Sequence, residues 1–135
     1  IQAQVLNLMM DAQEQRDLTY MFITHDLAVV EHFGTRVAVM YLGTLCELGT
    51  SEQLFDNPRH PYTKALLSAI PRLEDDRPNH IKLQGEVPTP VNLPSGCVFH
   101  GRCPYADSRC KEEVPQLIAT DGVQVACHAV EEGRI

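Results

Sequence analysis

An α/β class is predicted by three features of the chain. An apolar run, Thr19–Thr24, stops at His25-Asp26; helical patterns flank that run on both sides; and two further strand-like segments are joined through Leu42-Gly43. Thr19-Tyr-Met-Phe-Ile-Thr24 is short and rich in aromatic and aliphatic side chains, and reads as a strand buried on both faces. That is the pattern of a parallel sheet. Helix and strand alternate around it, as parallel strands require. His25 then falls at the carboxyl end of a strand, where open α/β sheets bind ligands. The blander alternative is a histidine that only satisfies a loop.

Taken in order, the first segment is Ile1–Arg16. Ile1, Val5, Leu8 and Met9 recur at the spacing of one helix face, and Asp17 ends the pattern. After the run at Thr19–Thr24, Asp26 is placed to cap a helix over Leu27–Phe33, and Gly34 to terminate it. Arg36–Tyr41 and Thr44–Leu48 are strands; a two-residue loop makes them an antiparallel hairpin. Gly49-Thr50-Ser51 leads into a short helix, Glu52–Phe55, that ends near Asn57-Pro58. His60-Pro61-Tyr62 opens another helix with Pro61 in its first turn. Ala65, Leu66, Leu67, Ala69 and Ile70 form its apolar face up to Pro71. Residues 72–79 turn charged and Pro-containing, a linker composition, so a boundary is placed between residues 1–71 and 72–135. Ile81–Gly85 is a short strand candidate. Pro88, Pro90 and Pro94 then lead into a tail with four cysteines, Cys97, Cys103, Cys110 and Cys127, while Cys46 stands alone on a strand.

The totals narrow the function. The chain has 135 residues, 44% hydrophobic and 21% charged, an ordinary globular composition with no run long enough to span a bilayer. No basic segment precedes an apolar one at the start, as an export signal would require. A net charge of −7 argues against nucleic acid as the main partner, though not against one bound nucleotide. The opening inside an uncapped helical pattern at Ile1 suggests a chain that starts mid-domain.

Several motifs resemble one family. Ile23-Thr-His25-Asp26-Leu27 resembles the switch-histidine loop of ATP-binding-cassette ATPases. Val39-Met-Tyr-Leu-Gly43 and Glu47-Leu-Gly-Thr50 resemble the strand pair that follows it. Asn57-Pro-Arg-His-Pro-Tyr-Thr-Lys-Ala-Leu-Leu-Ser-Ala-Ile-Pro71, Gly96-Cys97 and Arg102-Cys103-Pro104 resemble the C-terminal extension of oligopeptide and dipeptide transporter ATP-binding subunits. The resemblance implies the C-terminal portion of a P-loop ATPase domain, with parallel strands, helices and an antiparallel strand pair, followed by a small irregular extension. It implies that His25 contacts the γ-phosphate of ATP and helps hold the attacking water, and that Mg-ATP is the ligand of the full-length subunit. The implied partners are integral membrane permease subunits and a second ATP-binding subunit, at the cytoplasmic face of the membrane. Peptide import is the implied role, with nickel and other small solutes as alternative cargo.

The sequence also departs from a complete ATPase. It has no Gly-x-x-x-x-Gly-Lys-Ser/Thr phosphate loop, no Leu-Ser-Gly-Gly-Gln-like signature and no strand ending in Asp-Glu. The 135 residues by themselves are therefore expected to be inactive, and to self-associate through faces that the missing half would cover. The tail cysteines, spaced x5, x6 and x16, admit three readings. A disulfide framework is disfavoured in the reducing cytosol that the resemblance implies. Zinc could be bound by all four thiolates, or by three with His100 or His128, but the spacings are wide for zinc. A [4Fe–4S] cluster on Cys97, Cys103, Cys110 and Cys127 is preferred, because the resemblance supports one and Cys103-Pro104 suits it. Plain reduced thiols in a small Pro-rich subdomain are the blander alternative to all three. Two other functions compete with the ATPase subunit: a non-enzymatic metal-binding module centred on the tail, and a structural interaction domain.

Overall fold

The computed structural model describes residues 2–70 and 80–135. The expected linker at 72–79 lies outside the described residues. Helix α1 spans Gln2–Arg16 and stops where Asp17 turns left-handed at φ 52°, a conformation that Asp tolerates better than most residues. None of its side chains is buried, and Val5 and Leu8 of its expected apolar face are exposed.

The expected strand at Thr19–Thr24 does not form. The segment is irregular, and Met21 and Ile23 are 91% and 96% exposed. A strand is stabilised by a ladder to a neighbour, and among the described residues nothing pairs with this run. The parallel sheet predicted from it is therefore absent from the described residues. Helix α2, Leu27–Phe33, does form where its cap and stop signals place it. Gly34 ends it in extended rather than left-handed conformation, at φ −77°.

Strands β1, Arg36–Tyr41, and β2, Thr44–Thr50, make the expected antiparallel hairpin. Leu42 and Gly43 both have positive φ, 47° and 76°, the requirement of a type I′ turn. Helix α3, Ser51–Asp56, starts with a reciprocal capping box between Thr50 and Gln53, and α4 spans Pro61–Ser68. Ile81–Gly85 is irregular rather than a strand. The tail carries α5, Ser108–Glu112; β3, Ile118–Thr120; β4, Val123–Val125; and α6, His128–Glu131.

One four-stranded antiparallel sheet, in the order β1-β2-β4-β3, unites hairpin and tail. The β2–β4 contact pairs Glu47 with Val125 and Leu48 with Gln124. Residues on either side of position 72 thus share one sheet, and they share the core as well. Tyr41, Cys46 and Phe99 form one buried cluster, with Tyr62, Leu83, Cys97 and Cys103 packed against it; Leu54, Val123 and Val125 form another. At the far end, Arg109 reaches Glu113, Glu131 and Glu132, and Arg134 reaches Asp107 and Glu132, tying α5 to α6 and the C-terminus.

Candidate functional site

His25 sits at the turn into α2. The Asp26 amide donates to Thr24 Oγ1 at 3.0 Å, across His25, and Asp26 Oδ1 accepts from the amides of Ala28 and Val29 at 3.1 and 3.3 Å. Asp26 is therefore the helix cap that the sequence suggested. His25 is exposed, and none of the polar contacts among the described residues uses its ring. The turn is built to present this imidazole outward.

A second constellation lies at the junction of hairpin, α4 and tail. Glu47 on β2 is fully buried (0% exposed), and its carboxylate accepts two backbone N–H groups: Arg59 at 2.7 Å to Oε1 and His60 at 3.0 Å to Oε2. It satisfies the chain where the Asn57-Pro58 corner leaves those donors without a ladder partner. His60, 2% exposed, caps α4: its Nδ1 accepts from the Tyr62 amide at 3.0 Å. With Nδ1 an acceptor, the ring proton sits on Nε2 and reaches the Ala126 backbone in the tail. Burial pushes the His60 pKa down to about 4, against a smaller upward pull from that backbone contact. Tyr41, Tyr62 and Phe99 stack around it with ring centroids 4.8 to 5.4 Å apart, and the His60 ring lies 5.8 Å from Phe99. The His60-Pro61-Tyr62 motif thus works as a helix start packed on the core. Glu47 is the residue that sequence reasoning missed. Its one signal was an acidic side chain inside the otherwise apolar Leu45–Leu48 strand.

The four tail cysteines lie within electrostatic reach of one another without converging on a common point. Cys97 and Cys127 both feel the charge of Cys110, and Cys103 feels all three others. The Cys97 amide donates to the Cys110 carbonyl at 2.8 Å, where Gly96 (φ 65°) presses so close that a Cβ would lie 2.5 Å from the same oxygen. Burial raises the thiol pKa of Cys97 and Cys127, and that of Cys103 to about 11; the neighbouring thiols add to the rise. Cys46, buried on β2 as a small core residue, is raised to about 12 for the same first reason.

The expected metal centre finds no support in this arrangement. Among the described residues no three His, Cys, Asp or Glu side chains converge as ligands of a metal ion. His128 is also committed elsewhere, with Nε2 on the Glu113 carbonyl at 3.0 Å and Nδ1 facing Glu131 at 3.5 Å. The His100 Nδ1 donates to the Cys97 carbonyl at 2.8 Å. Neither an iron–sulfur nor a zinc centre fits these donors as placed, and no chemistry is routed through one. Beside Cys46, His60 and Cys97 a half-open apolar cavity of about 310 Å³ separates the start of β2 from the loops at 93–99 and 114–115.

Comparison with known proteins finds relatives over nearly the whole chain. A family model described as "Oligopeptide/dipeptide transporter, C-terminal region" matches residues 46–110. Over nearly its whole length the chain is similar to the C-terminal part of ATP-binding subunits of such transporters. It is 54% identical to the di/tripeptide transport ATP-binding protein DppF of Pseudomonas aeruginosa, over 98% of this chain and 41% of that protein. It is 56% identical to the dipeptide transport ATP-binding protein DppF of Escherichia coli, over 98% of this chain and 40% of the relative. The oligopeptide transport ATP-binding protein AppF of Bacillus subtilis is 52% identical over 95% of this chain and 40% of its own length. The chain thus spans about two fifths of the length of these curated relatives. No described helix is long and apolar enough to cross a membrane.

Proposed function

We propose that these residues are the part of a peptide importer's ATP-binding subunit that presents His25 to the γ-phosphate of ATP. The observation that carries this reading is the turn at Thr24–Asp26. It leaves one exposed, uncommitted imidazole at the helix entry of a sequence more than half identical to peptide-transport ATP-binding proteins. An imidazole donating to a phosphate oxygen stabilises the charge that develops as the γ-phosphoryl group is transferred, and holds the attacking water in line. In this reading Mg-ATP binds through residues beyond these 135, which by themselves hold no phosphate loop and hydrolyse nothing. The energy of hydrolysis is passed to membrane permease subunits, with a second ATP-binding subunit closing over the nucleotide at the cytoplasmic face. Di- and oligopeptides are the proposed cargo, after the names of the relatives.

The test is His25→Ala in the natural protein that contains this sequence. ATP turnover is expected to fall by a factor of about 10² to 10³, the range for removing one donor to a transition-state oxyanion, while ATP binding persists. Turnover equal to the parent would overturn the assignment. Cys97 and Cys103 are proposed to hold the tail on the hairpin by packing against the cluster of Tyr41, Cys46 and Phe99, while the Cys97–Cys110 backbone contact ties the tail to itself.

A further inference from the structure

We infer that Thr24 is a positioning residue for His25, acting through its side-chain hydroxyl; this rests on the γ-phosphate reading of His25. The stretch just before the turn has little burial to orient it: Met21 and Ile23 are almost fully exposed, only Tyr20 and Phe22 are partly covered, and no strand among the described residues pairs with it. The direction in which the imidazole leaves the chain is then set locally, by hydrogen bonds. On one side, Asp26 Oδ1 anchors the turn to the first amides of α2. On the other, Thr24 Oγ1 accepts the Asp26 amide at 3.0 Å and closes a ring of atoms around His25. The Asp26 carboxylate holds the helix side; among the described residues the Thr24 hydroxyl holds the side that leads into the turn.

Thr suits this task. Its branched Cβ restricts χ1, so that the hydroxyl is held where the Asp26 amide arrives. Placement matters because a group acting on a transferring phosphoryl must be held within about 0.5 Å, and an error of about 1 Å can cost a factor of about 10². Thr24 does not touch the nucleotide in this proposal; it removes the freedom of the residue that does.

The experiment compares Thr24→Val, Thr24→Ser and His25→Ala in the natural full-length protein, with Mg-ATP as the probe. Val keeps the branched shape and deletes only the acceptor. The expected result for Thr24→Val is a fall in kcat of about tenfold with unchanged equilibrium binding of ATP, and recovery in Thr24→Ser. In the same variant the Asp26 amide should exchange with solvent faster. Full kcat in Thr24→Val, with His25→Ala impaired, would overturn the positioning role and leave the His25 assignment standing. Full kcat in His25→Ala would overturn both. Loss of ATP binding in Thr24→Val, failure of Ser to restore kcat, or unchanged Asp26 amide exchange would each overturn the hydroxyl's role.

Discussion

Glu47→Gln isolates the lock between hairpin and α4. The substitution keeps the shape of the side chain and opens no cavity. It replaces one acceptor oxygen by an NH2 group, and the wild-type carboxylate uses both oxygens, on the Arg59 and His60 amides. One of those backbone donors must then face another donor. Glu47 is fully buried, so water cannot take over. Leaving a buried donor unsatisfied costs about 1–3 kcal/mol, and a bond to a charged acceptor is worth about 1.5–3 kcal/mol. Relief of the buried charge works in the opposite direction, which places the expected net loss at about 2 kcal/mol. For a chain of this size that is a fall in Tm of roughly 4–8 °C. Urea titration followed by circular dichroism measures the loss, and amide exchange at Arg59 and His60 locates it. A variant as stable as the parent, with both amides still protected, would refute the reasoning.

Three further outcomes follow from the same geometry. His60 has its pKa lowered by burial to about 4 from 6.5, so below pH 6.5 the unfolded chain takes up a proton that the folded chain refuses. Its contribution is intact above pH 6.5 and is lost as pH falls towards 4, by roughly 3 kcal/mol in all; a stability–pH curve of the parent, compared with His60→Gln, checks the slope. Gly96→Ala places a Cβ 2.5 Å from the Cys110 carbonyl at a φ of 65°; a loss of at least about 2 kcal/mol is expected by chemical denaturation, since αL strain alone costs about 1–2 kcal/mol. Thr50→Ala removes one half of the α3 capping box and should cost about 1 kcal/mol, measured the same way.

Where a decisive signal lies within a few residues of chain, it was legible. Asp26 caps α2, Leu42-Gly43 turns the hairpin and Pro61 starts α4, because each of these depends on backbone torsions and hydrogen bonds spanning four residues or fewer. Thr19–Thr24 has the composition of a buried strand, yet composition supplies no ladder, and the described residues provide none. Ile81–Gly85 failed for the same reason. The tail strands β3 and β4 went unread because each is three residues long, too short for alternation to stand out. Of the site, the Asp26 cap was readable from motif and spacing, whereas the strand expected to carry His25 does not form. That the four cysteines lie near one another was not readable, since their approach follows from loops folding onto the hairpin.

The amino-acid sequence by itself determined the local pieces and the kinship with peptide-transport ATP-binding subunits, because caps, turns and motifs are written in adjacent residues. Only the tertiary structure decided that hairpin and tail share one antiparallel sheet, and that Glu47 is the buried acceptor joining β2 to α4. Both depend on contacts between residues far apart in the chain: Glu47 meets Arg59 and His60 across 12 and 13 positions, and pairs with Val125. A buried carboxylate and an exposed one are the same letter; what separates them is whether the distant backbone donors arrive.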